Sequence, residues 1–69
     1  MYTQEMYIKA GIFTKVKIVN DIRANCLRLR VLFNIKEENA GFLMVKIHVV
    51  LTGNQDKVVE VVKAVEKYF

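Results

Sequence analysis

The sequence predicts an α+β domain: an antiparallel meander of three long strands with one C-terminal helix packed across one face. Three observations predict it. Apolar residues alternate with period 2 along three segments, and a fourth segment repeats them at helical spacing. The connections between the strand segments are also too short for a parallel crossover. A chain of 69 residues is bounded to one domain, so a single small domain over residues 1–69 is expected.

The first strand is placed at about 6–19, MYIKAGIFTKVKIV. Met6, Ile8, Ala10, Ile12, Val16 and Ile18 share one parity, and Tyr7, Lys9, Phe13, Lys15 and Lys17 share the other. Gly11 marks a bend or bulge. A tight hairpin at Gly11–Phe13 would keep the same parity and raise the count to four strands. NDIRAN, Asn20 to Asn25, is a break, because Asn and Asp side chains bond nearby backbone in turns.

The second strand is placed at about 26–36, CLRLRVLFNIK. Leu27, Leu29, Val31, Phe33 and Ile35 face inward; Arg28, Arg30, Leu32, Asn34 and Lys36 face outward. EENAG is a polar loop ending in a glycine suited to positive φ. The third strand, about 42–52, sends Leu43, Val45, Ile47, Val49 and Leu51 inward and Phe42, Met44, Lys46, His48 and Val50 outward. A helix over about 54–69 follows. Thr52 with Gln55, or Asn54 alone, is placed to cap it, and Asp56 suits its positive end. Val58, Val61, Val62, Val65 and Phe69 form its buried face.

Composition narrows the function. The chain is 54% apolar with a net charge of +4, and it has a single cysteine and so no internal disulfide. A domain of this size buries only about 60% of its unfolded surface. Small scaffolds without staples commonly gain stability by association, so a homo-oligomer is expected. One helix of about 15 residues, roughly 23 Å long, is too short to cover strands of roughly 36 to 47 Å. No apolar run approaches the roughly 20 residues that span a bilayer, and the N-terminus has no signal-peptide pattern. No membrane partner is expected. The unpaired cysteine fits the reducing cytoplasm.

On this assignment Lys9, Lys15, Lys17, Arg28, Arg30, Lys36 and Lys46 all lie outward, and no acidic residue lies in the strand interiors. Cations meet phosphates and flat rings stack on bases. The leading expectation is therefore a non-enzymatic protein binding nucleic acid on its outer sheet face. Lys15, Lys17, Arg28, Arg30 and Lys46 are the phosphate contacts, and Phe13 and Phe42 the stacking rings. The rival is a homo-oligomeric assembly or regulatory module that uses the same face as interface, through Leu32, Phe42, Met44 and Val50. Lysine on exposed strands also discourages aggregation, which accounts for part of the pattern without any ligand.

AGFLMVKI, Ala40 to Ile47, shares Gly41, Phe42 and Val45 with the strand signature of RNA-recognition motifs. It lacks the leading basic residue and the second aromatic. The β-α-β-β-α-β order of that family is not expected either, since no helix is placed between the first two strands, and no family is assigned. His48 has no partner at ligand spacing, so no metal is expected. Cys26 lacks a base and an oxyanion site, and is expected to be a structural thiol on the outer face. Glu37 and Glu38 in a loop lack the converging geometry of an acid–base pair. Neither catalysis nor a cofactor is expected.

Overall fold

The computed structural model describes residues 1–68 of the chain. Its elements run β1 (Tyr2–Gly11), α1 (Lys15–Leu29), β2 (Leu32–Gly41), β3 (Met44–Gly53) and α2 (Gln55–Val65), closing on a short 3-10 turn, Glu66–Tyr68. The sheet order is β1-β3-β2. The central β3 pairs antiparallel with both neighbours, from Tyr2↔Gly53 to Gly11↔Met44 on one side and Leu32↔Thr52 to Gly41↔Met44 on the other. β1 and β2 are therefore mutually parallel, and such strands need a long crossover. Helix α1 supplies it.

An α+β fold with a three-stranded antiparallel sheet is what the sequence predicts. The sequential meander with one terminal helix is corrected. Two helices are present, one of them between β1 and β2. The first strand does not run 6–19: it starts at Tyr2, ends at Gly11, and gives way to a helix. The second strand begins at Leu32, not Cys26, and continues through EENAG, which pairs with β3 up to an irregularity between Asn39 and Gly41. The turn is Phe42–Leu43. The element order now matches the first five elements of a β-α-β-β-α-β pattern, so the missing helix no longer separates this chain from that order.

Residues 15–29 form a helix because their apolar residues fit a 3.6 period better than a 2 period. Ile18, Ile22 and Cys26 are buried at spacings of four, with Val19 and Leu29 packed at the margins. Asn and Asp in NDIRAN do not break it. Asn25 donates from Nδ2 to the Asp21 carbonyl, 2.8 Å away and one turn back, so its side chain bonds within the helix. The helix ends at Arg30, which takes the left-handed conformation at φ 57 and ψ 43. The Val31 amide then donates back to the Cys26 carbonyl at 2.9 Å. Glycine is usual at such a position.

Both helices lie on one side of the sheet. The core joins Met6, Ile8 and Ala10 of β1, Val45, Ile47, Val49 and Leu51 of β3, the α1 residues above, and Val58, Val61 and Val65 of α2. Fully burying each of the Val, Ile, Leu and Met side chains among them contributes roughly 1.5–3 kcal/mol. Asn54 caps α2, its Oδ1 accepting from the Asp56 amide at 3.0 Å. The expected α2 face stands at Val58, Val61 and Val65; Phe69 lies outside the described residues. The predicted inward and outward parity holds within all three observed strands. Leu43 of the third strand's inward set leaves it because it sits in the turn, and the inward residues placed at 12–18 and 27–29 leave it because that segment is turn and helix.

Candidate interaction surface

The opposite face of the sheet carries no helix. The register lays it out in cross-strand rows: Thr3, Thr52 and Leu32; Glu5, Val50 and Asn34; Tyr7, His48 and Lys36; Lys9, Lys46 and Glu38. The middle of this face is organised. The Tyr7 and His48 rings stack with centroids 4.5 Å apart and planes 7° from parallel. Lys46 Nζ lies 4.8 Å from the centroid of the Tyr7 ring, a cation–π distance. His48 Nε2 is buried without a hydrogen bond and lies 3.7 Å from Glu5 Oε1. Cross-strand pairs of this kind stabilise a sheet by about 0.2–1 kcal/mol each. Tyr7 is contacted by His48 and Lys46, so its ring is not a free stacking platform.

The structure separates the sequence-predicted phosphate contacts. Lys46 stays on the bare face. Lys15, Lys17 and Arg28 move to α1, and Arg30 to its C-terminal cap. Lys15 Nζ is 2.7 Å from Glu37 Oε1, on the helix side of the sheet. Arg28 bonds Asn25 Oδ1 at 3.0 Å and lies 3.6 Å from Glu60. The single basic face is thereby corrected. Lys9, Lys36 and Lys46 remain on it, interspersed with Glu5 and Glu38. The misplaced cations follow from the same event that removed the long first strand: period-2 parity loses its meaning once the chain turns helical.

Phe13 and Phe42 come to one end of the sheet. Phe13 lies in the β1–α1 turn and Phe42 in the β2–β3 turn, and they are 86% and 90% exposed. The two turns are tied by the Ile12 amide donating to the Leu43 carbonyl at 3.1 Å. Leu43 itself has φ 57, a costly conformation for a leucine. Met44 follows it, exposed, at the edge of the bare face. Of the predicted interface residues, Leu32, Met44 and Val50 share that face and Phe42 stands at its end.

Cys26 is not on the outer face. It is completely buried in α1, and burial pushes its thiol up to about 11. Tyr68 donates its hydroxyl to Asp21, and that bond, with some desolvation and the neighbouring charge, raises the phenol above its ordinary value. This contact ties the 3-10 turn after α2 to α1. Among the described residues no group of three or more His, Cys, Asp or Glu is placed to hold a metal ion. No described helix is long and apolar enough to cross a membrane.

Sequence reasoning missed two features of the surface. Val16 and Leu27 were assigned to strand interiors, yet they are 56% and 67% exposed on α1. The Tyr7–His48 stack was legible only as two outward residues, since their pairing depends on β1 lying beside β3. Comparison with protein-family models, curated proteins and solved structures found no match.

Proposed function

We propose that this chain is a small non-enzymatic, homo-oligomeric assembly module whose helix-free sheet face is its interface. One observation carries this. The sheet is covered by helices on one side only, while its other side and adjoining end expose Tyr7, Leu32, Met44, Phe42 and Phe13. Exposed apolar side chains on a sheet face that no helix covers mark a surface suited to a partner. Leu32 and Val50 supply apolar contacts at one end of the face, and Met44 with Phe42 at the other. Glu5, Lys9, Lys36 and Glu38 supply charges of both signs around them, which a self-complementary contact can pair. The unpaired, buried Cys26 fits work in the reducing cytoplasm.

Nucleic acid is the second candidate for the same surface. It is favoured by Lys9, Lys36 and Lys46 on the bare face, with the free rings of Phe13 and Phe42 at its end and Lys17 and Arg30 as outlying cations. Titration with labelled single- and double-stranded oligonucleotides at low and high salt separates the two. Assembly without nucleic acid predicts no saturable binding at low salt. Tight binding that weakens steeply with salt, and that a Lys36→Glu, Lys46→Glu variant abolishes, would replace assembly by nucleic-acid recognition.

A further inference from the structure

We infer that the free edge of β2, with the flank of α1 above it, is a second contact between copies of this chain, joining two sheets edge to edge. The inference rests on the assembly proposal for its premise that copies associate. It adds a surface distinct from the bare face.

The two sheet edges differ. On β1, likewise an edge strand, the helix-side residues Met6, Ile8 and Ala10 are buried and leave no apolar side chain open on that side. On β2 the corresponding residues Phe33 and Ile35 are only half-buried. Above them α1 presents Val16 and Leu27, both more than half exposed, with Val19 partly buried. A cleft of about 390 Å³ opens at this flank, lined by Cys26, Leu27, Arg30, Val31, Leu32 and Phe33. Pairing to β3 runs regularly from Leu32 to Asn39, and β2 has no other neighbour in the sheet. A strand has one hydrogen-bonding edge free under these conditions, open to another chain.

Charge selects a second copy in antiparallel orientation. Arg30 caps α1 two residues before β2 begins, and Glu38 lies towards the far end of β2 beside Glu37, which is already paired with Lys15. A two-fold axis beside the strand carries Arg30 of one copy to Glu38 of the other. Centred near Asn34, it sets Phe33 across from Ile35 of the second copy and Arg30 level with that copy's Glu38. A parallel arrangement would oppose like charges. The antiparallel one encloses Leu27, Phe33 and Ile35 from both copies under the two α1 flanks. A two-fold contact is self-complementary in this sense, and strand addition supplies backbone hydrogen bonds along its length.

Light scattering on purified wild-type, Leu27→Glu and Val50→Lys proteins tests the inference, with circular dichroism to check folding. Leu27 and Val50 lie on different surfaces, and Leu27 is exposed, so its replacement spares the core. With both contacts intact, Leu27→Glu reduces the wild-type mass by about half and leaves the spectrum unchanged. Val50→Lys keeps the edge-paired dimer. In the Val50→Lys background, which removes the bare-face contact, Arg30→Glu and Glu38→Arg variants are each monomeric alone and form dimer when mixed. A Leu27→Glu protein of wild-type mass, with Val50→Lys dissociated, overturns the edge contact and leaves the bare-face interface standing. The reverse pattern supports the edge and refutes the bare face. A wild-type monomer at every concentration overturns both.

Discussion

Cys26 is the residue whose chemistry is most altered by the fold. Its thiol sits in the core and is held neutral, with burial moving its titration up to about 11 from 9.0. Alkylation of the native protein at mildly alkaline pH is therefore expected to be slow, and to become fast only on unfolding; fast native labelling would contradict the buried thiol. The same shift sets a sign for stability. The unfolded thiol loses its proton first, so stability falls as pH rises from about 9 towards 11. The raised Tyr68 phenol acts in the same direction at alkaline pH. Arg30 illustrates a different cost. A left-handed conformation disfavours a side chain by about 1–2 kcal/mol, so Arg30→Gly is expected to stabilise the monomer by about 1 kcal/mol in urea unfolding. An unchanged or lower midpoint would mean that the arginine side chain contributes more than the strain it carries.

At the scale of elements, the strands were largely legible and α1 was not. Within each observed strand the period-2 pattern placed Met6, Ile8, Ala10, Phe33, Ile35, Val45, Ile47, Val49 and Leu51 on the correct side. The second helix was legible from Val58, Val61 and Val65 and from the Asn54 cap. The first was hidden because Lys15-Val16-Lys17-Ile18 continues the alternation of β1 for a few residues. Ile18, Ile22, Cys26 and Leu29 mark a helical face, but Asn20, Asp21 and Asn25 interrupt it with turn formers. Packing overrides that local preference, as it commonly does for propensities this weak. EENAG became strand for the same reason: pairing with β3 outweighs its polar, turn-like composition. Two variants test the elements. Ile22→Ala should destabilise by about 2–5 kcal/mol, measured by denaturant midpoint, whereas a loop at this position would tolerate it. Val65→Asp should abolish the helical dichroism signal or the assembled mass, and full retention of both would mean α2 does not dock.

At the scale of the whole molecule, the decisive fact is asymmetry. An elongated body of 37 × 17 × 16 Å has helices on one side of its sheet and none on the other. The basic pattern that the sequence displayed so clearly was spread by α1 over two elements, leaving a bare face of mixed charge with apolar residues between. That redistribution is the ground for proposing self-association ahead of phosphate recognition. Charge alone could not have shown it, because the side on which a lysine lies depends on whether its segment is strand or helix. The most direct test is sedimentation equilibrium of the wild-type chain, free of nucleic acid, over a wide concentration range at low and high salt. Self-association through the bare face gives a mass above the monomer that rises with concentration and persists at high salt. A monomer at every concentration, or association only after an oligonucleotide is added, would contradict it.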